Sequence, residues 1–194
     1  MKRDEKKAAN RQKIVDATYD LMLTNGFQKT SVREVSQASG ISLVTMYKYF
    51  KNKDELVHAV ILKMLAQGIG HSKRVFENDD LDFMEKFRVY TADYAKEMAK
   101  VSESVLKEVS EITRDSPDIQ AKIHQWRDDF GRQLIAYGRK SGAIQTTVSD
   151  QAIEFFANMF TEYIVSSIPE QANDEIIVQL EELFLYGLAG KQQK

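Results

Sequence analysis

Apolar residues recur every three or four positions along most of the chain, and no stretch alternates strictly between apolar and polar residues. That periodicity predicts helices throughout and no strands. A first helix is expected over about 10–24, with Ile14, Ala17, Tyr19, Leu21 and Met22 on its apolar stripe and Asn25-Gly26 ending it. The run Ser31-Val-Arg-Glu34 fits a capping box, so a second helix should start at Thr30 or Ser31 and end before Gly40, burying Val32, Val35 and Ala38. Ser42 is the expected N-cap of a third helix that carries residues through Phe50, and Asn52-Lys-Asp-Glu55 caps a fourth. The fourth continues through Leu56, Val60 and Met64 to Gly68-Ile-Gly70, where the glycines read as a C-cap or an exit hinge.

Beyond residue 70 the periodic segments lengthen. Phe83, Met84, Phe87, Tyr90, Tyr94 and Met98 form one stripe, and 101–112 a shorter helix. Ser116-Pro117 opens a long helix ending at Gly142, with Ile119, Ile123, Trp126, Phe130, Leu134 and Tyr137 on one face. Two last helices, near 150–168 and 174–188, are apolar on several sides, which calls for burial on several sides. The expected fold is all-α, with about nine helices in two parts: an N-terminal arm and reading head over 1–52, and a larger helical domain over 53–194.

Charge changes the picture at one end only. Net charge is −2, but residues 1–53 hold 11 Lys and Arg against 5 Asp and Glu, a net +6, whereas 54–194 hold 16 against 24, a net −8. A basic head suits an anionic partner, although a solvated basic tail at 2–13 would give the same asymmetry. Cysteine is absent, which excludes disulfides, thiolate catalysis and Cys-ligated zinc. With no apolar run long enough to span a bilayer and no apolar segment behind the basic N-terminus, no membrane partner and a cytoplasmic location are expected.

Residues 31–50 have the length, glycine turn and apolar spacing of a helix-turn-helix. Met46 and Phe50 fall on the core face of the third helix, which leaves Thr45, Lys48 and Tyr49 largely opposite, as donors to phosphate oxygens. Lys53 lies in the first turn of the fourth helix, where a bound phosphate would offset its unfavourable place in the helix dipole. The segments Arg11-Gln-Lys-Ile14, Asn25-Gly-Phe27, Thr30-Ser-Val-Arg33, Gly40-Ile-Ser42, Thr45-Met-Tyr-Lys-Tyr-Phe50 and Lys51-Asn-Lys53 resemble the tetracycline-repressor (TetR) family of bacterial transcription regulators. The likeness covers about 10–60.

The resemblance implies duplex DNA as partner. It places Thr30, Ser31 and Arg33 at the start of the second helix, and Ser42, Leu43, Val44, Thr45, Tyr47, Lys48 and Tyr49 in the turn and third helix, at DNA-contacting positions, with Lys53 at a phosphate-contacting one. Thr45, Tyr47, Tyr49 and Lys53 suit phosphates, Arg33 and Lys48 have the reach for base edges, and Leu43 and Val44 offer apolar contacts such as thymine methyls. The resemblance further implies a homodimer built from the last two helices, for which Phe156, Ile164, Ile176, Leu180, Leu183 and Phe184 are the candidates. It also implies a small-molecule effector whose arrival releases DNA, making the protein a repressor. Met64, Phe87, Tyr90, Tyr94, Trp126, Phe130 and Phe160 are the candidate lining, although such an aromatic stripe is more often plain core.

An enzyme is the competing class, and its signals are weak. There is no glycine-rich phosphate loop, and His58, His71 and His124 lack the spacing of a metal motif, His124 with Asp128 being the nearest approach. No metal and no cofactor are expected. A helical interaction protein or a small-molecule binder with no specific operator is the other alternative.

Overall fold

The computed structural model describes residues 3–167 and 174–190, and among these it contains nine helices and no strand. In chain order they are α1 (Arg3–Asn25), α2 (Val32–Ser39), α3 (Leu43–Met46), α4 (Lys53–Phe76), α5 (Phe83–Met98), α6 (Glu103–Arg114), α7 (Pro117–Ser141), α8 (Asp150–Ser167) and α9 (Asp174–Ala189). The all-α expectation holds.

The chain's own signals set most of the helix ends. Gly26 takes φ 87° and its N–H closes α1 on the Met22 carbonyl at 2.9 Å. Both halves of the Ser31–Glu34 capping box form, and Gly40 ends α2 at φ 68°. Ser42 Oγ accepts the Thr45 N–H at 3.4 Å, and Asn52 Oδ1 accepts the Glu55 N–H at 2.8 Å.

Four local expectations need correction. α1 begins at Arg3, seven residues before the expected start at about residue 10, so the basic segment is an exposed helical extension and not a tail. Ala38 is exposed, and in α2 only Val35 is fully buried. Helical geometry in the third helix lasts only from Leu43 to Met46, and residues 47–49 continue as turns that bring Phe50 back under Met46. α4 runs through Gly68 and Gly70 to Phe76; neither glycine has a positive φ, so neither is a cap. α7 opens at Pro117 as expected, with the Ser116 carbonyl accepting the Gln120 N–H at 3.0 Å while the Ser116 hydroxyl donates back to the Ile112 carbonyl at 2.7 Å.

The chain divides into two compact units: Met1–Arg74 with Tyr90–Lys122, and Val75–Val89 with Ile123–Lys194. In the first, Ile14, Met22, Val35, Met46, Leu56, Val60, Val105 and Ile119 are buried to 2% exposure or less. Lys63 of α4 grips α1 there, with its ammonium 2.7 Å from Asp16 Oδ1 and 4.4 Å from the centre of the Tyr19 ring.

The second unit is built on Phe83, Ile135, Ile144, Ile153, Phe184, Leu185 and Leu188. Gly138 is required here: a Cβ on it would lie 2.5 Å from Ile144 Cδ1 and 3.0 Å from Phe83 Cε2. Lys86 is wholly buried, its Nζ donating to the Phe76 carbonyl at 3.0 Å and to Tyr137 Oη at 2.8 Å. A buried ammonium is tolerated when hydrogen-bonded in this way. Nothing in the apolar pattern announced it.

Candidate nucleic-acid interface

The reading head is assembled from the end of α1, α2, the 40–42 turn, α3 and the first turn of α4. Met46 and Phe50, at 2% and 5% exposure, anchor the short third helix to the core. Their burial forces the intervening and preceding positions outward. Val44 is 72% exposed and Tyr47 53%, and Ser31, Arg33, Ser42 and Lys48 are also exposed. Leu43, Thr45, Tyr49 and Lys53 are half-buried.

Several of these side chains are held in place. Ser42 Oγ donates to Thr45 Oγ1 at 3.0 Å, Asn10 Nδ2 of α1 donates to Tyr49 Oη at 3.4 Å, and Lys53 Nζ donates to the Gln28 carbonyl at 3.0 Å. The Arg11 guanidinium lies 5.0 Å over the Phe50 ring, which orients a further cation beside the head. Glu34 is the acidic neighbour. The Ser31 N–H and then the Ser31 hydroxyl hold its carboxyl below the ordinary carboxylate range, so it stays charged as part of the cap.

Thr30 is the exception among the predicted contact residues. It is 1% exposed and its hydroxyl donates to the Gly26 carbonyl at 2.8 Å. A side chain enclosed in this way shapes the α1–α2 turn and reaches no ligand. Burial is invisible in a Thr-Ser-Val-Arg string, where two adjacent hydroxyl residues look interchangeable.

A cleft of about 1040 Å³ opens beside Tyr49, Phe50 and Lys53, with Glu108, Glu111 and Ile112 of α6 on its far side. Glu108 accepts the Phe27 N–H at 2.6 Å and the Gln28 N–H at 3.1 Å. Sequence reasoning missed this residue, because no local pattern connects positions 80 apart.

The predicted effector residues are distributed over both units. Met64, Tyr90 and Tyr94 belong to the first, where Tyr90 stacks on His71 at 6.1 Å and Tyr94 is half exposed. Phe87, Trp126 and Phe130 belong to the second, with Trp126 stacked on Phe130 at 5.8 Å, Phe130 edge-on to Phe76 at 5.1 Å, and Phe87 against Phe184 at 6.3 Å. The side chain of Phe160 lies outside the described residues. Among the predicted interface residues, Phe156, Ile176 and Leu183 are exposed and Leu180 is half-buried, while the side chain of Ile164 is again outside the described residues. Phe184 is corrected: at 7% exposure it belongs to the chain's own core, packed on Phe87 and Phe156.

His124 Nδ1 lies 2.7 Å from an Arg127 nitrogen, a poor start for a metal site with Asp128. No group of three His, Asp or Glu residues able to hold a metal is found among the described residues.

Residues 14–60, the span from the core of α1 to the second turn of α4, match the family model described as bacterial regulatory proteins, tetR family. Over that span, which holds the reading head, the chain is similar to the tetR family. Curated relatives of the chain include the HTH-type transcriptional regulator YvaF of Bacillus subtilis (strain 168), 27% identical over 105 residues, which are 54% of this chain and 55% of YvaF. An HTH-type transcriptional regulator of Staphylococcus aureus (strain USA300) is 25% identical over 70% of this chain and 71% of its own. The alignment thus spans about half of the first relative.

Solved structures show the fold alone. Regulatory protein TetR from Rhodobacter sphaeroides superposes with a TM-score of 0.63 at 16% identity, over 90% of this chain and 96% of that one. Thermus thermophilus FadR, a TetR-family transcriptional repressor solved in complex with lauroyl-CoA, gives 0.61 at 18% identity, over 94% and 97%. Among the described residues, no helix is long and apolar enough to cross a membrane.

Proposed function

We propose that this chain is a cytoplasmic, homodimeric transcriptional repressor that leaves a pseudo-palindromic operator when a small apolar or amphipathic effector binds. The observation that carries the DNA-binding part is the third helix: its two buried anchors, Met46 and Phe50, leave Val44, Tyr47 and Lys48 exposed together, next to Arg33 and Ser31 at the head of α2. Those are the residue types that reach phosphates, guanine edges and thymine methyls. Residues 1–52 form the functional reading head, and 53–194 carry effector binding and dimerisation.

The dimer reading is supported by apolar surface on α8 and α9. Phe155, Phe156 and Met159 of α8 and Ile176, Leu183 and Tyr186 of α9 are all exposed, and large apolar side chains gathered on two helices in this way mark an interaction surface. Paired recognition helices about 34–36 Å apart would then read two half-sites one DNA turn apart. Effector binding is supported by the rings of Phe87, Trp126 and Phe130, and it moves DNA only if the effector prefers the conformation with misplaced heads.

Separating positioning from reading tests the assignment. Lys53→Ala should weaken binding to every duplex alike and reduce the salt slope by about one, whereas Lys48→Ala should cost about 1–3 kcal/mol at one operator position and relax its specificity. Identical profiles for the two variants would contradict these roles.

A further inference from the structure

Glu108 stands mid-way along α6, and its Oε2 accepts two backbone N–H groups, from Phe27 at 2.6 Å and Gln28 at 3.1 Å. Those amides lie immediately past the end of α1, in the turn that Gly26 opens. A carboxylate there faces the negative end of a helix dipole, so general electrostatics oppose it. Direct charge-assisted bonds, the strong kind, must outweigh that opposition. Approach is close as well: a Cβ on Gly26 would sit 3.2 Å from Glu108 Oε1, in a backbone conformation with φ 87° that already disfavours any other residue.

The gripped turn carries two parts of the reading head. The Gln28 carbonyl accepts the Lys53 ammonium at 3.0 Å, so one residue is held by Glu108 through its N–H and by Lys53 through its C=O. The Gly26 carbonyl accepts the buried Thr30 hydroxyl, directly before the Ser31 cap. An ammonium has three donors, and with one fixed on Gln28 the others remain for a phosphate.

We propose that Glu108 is a positioning residue for DNA binding: from α6 it fixes the 26–28 turn, and the turn fixes Lys53 where phosphate is met. This inference rests on the DNA-binding reading above. Without the carboxylate, the turn loses its anchor and Lys53 must be ordered anew at each encounter, an entropic loss that falls on binding.

The test uses the full chain with E108A, E108Q, K53A and the E108A/K53A double variant. Amide hydrogen exchange is read by NMR, and affinity is read on duplex DNA flanking the protein's own gene. In E108A the Phe27 and Gln28 amides should exchange at least about tenfold faster, the equivalent of one charge-assisted bond, while core amides such as Ile135 and Leu185 keep their protection. DNA affinity should fall by about tenfold, and E108Q, whose amide oxygen can accept the same N–H groups, should restore most of it. Because the effect passes through Lys53, the double variant should bind no more than about twofold more weakly than K53A alone.

Unchanged exchange at both amides, faster exchange with unchanged DNA affinity, or losses that multiply in the double variant would each overturn the proposal. If E108A also loses core protection it has unfolded, and E108Q then decides: a few-fold faster exchange at the two amides supports the clamp, and wild-type exchange overturns it. Wild-type protein that binds no duplex would sink the DNA-binding reading and the inference with it. The exchange data would still report whether Glu108 holds the turn.

Discussion

Thr30 and Gly138 show how little a residue's type says about its task until its surroundings are known. Thr30 lies in a string of proposed DNA-contacting positions, yet its hydroxyl is spent on the Gly26 carbonyl inside the α1–α2 turn. Thr30→Val should therefore lower stability by about 1 kcal/mol, the usual net worth of such a bond. Its salt slope on DNA should stay that of wild type, and a lowered slope in a protein of unchanged stability would return Thr30 to the contact surface. Gly138 has no special φ and reads as a weak point in a long helix, but the space a methyl would need is filled by Ile144 and Phe83. Overpacking a closed core costs about 1–3 kcal/mol, so Gly138→Ala should lower the urea midpoint against the ordinary helical preference for alanine. A stabilised variant would show that the core yields there.

At the scale of elements, caps were legible because each is a signal within four residues. Ser31 with Glu34, Gly40, Ser42, and Asn52 with Glu55 all act where the chain places them. The start of α1 was not legible, since residues 3–9 are exposed and have no apolar stripe to reveal a helix. The C-terminal half of α4 was obscured for the opposite reason: packing at Ser72 and Val75 carries the helix past two glycines whose local preference is to stop it. Contacts between elements were out of reach altogether, as Lys63 with Asp16, Glu108 with Phe27 and Lys86 with Tyr137 illustrate. The first of these gives a pH prediction. The Lys63 hydrogen bond holds the Asp16 carboxyl below its ordinary value of 3.8, against a smaller opposing effect of burial. A depressed folded pKa adds stability that is complete above the unfolded value and lost as pH falls through the folded one. Asp16→Asn should thus cost under about 1 kcal/mol near neutrality, the pair being partly exposed, and progressively less as pH falls below 3.8. A cost that persists in acid would assign the effect to packing.

For the whole molecule, fold class and the place of the reading head followed from periodicity, charge asymmetry and turn glycines. The proposed dimer face did so in part, because helices apolar all round must be covered, but the pattern alone did not separate Phe184, which the chain covers itself, from Leu183 beside it at 67% exposure. Leu183→Glu, and Phe155→Glu on α8, should convert a sedimenting dimer to a folded monomer and abolish tight operator binding, since one head reads few base pairs. A variant that remains dimeric would place the interface elsewhere. The single tryptophan, Trp126, stacked on Phe130, offers a direct reporter for an effector, whose binding should change its emission at the concentrations that release DNA.

A sequence-specific regulator must distinguish one duplex from another. Fluorescence anisotropy with the DNA flanking its own gene, against shuffled DNA of equal length and composition at about 0.15 M salt, decides it. A preference of about 10³ or more for the native fragment is the predicted result, and equal weak binding to both would contradict a sequence-specific regulator acting there.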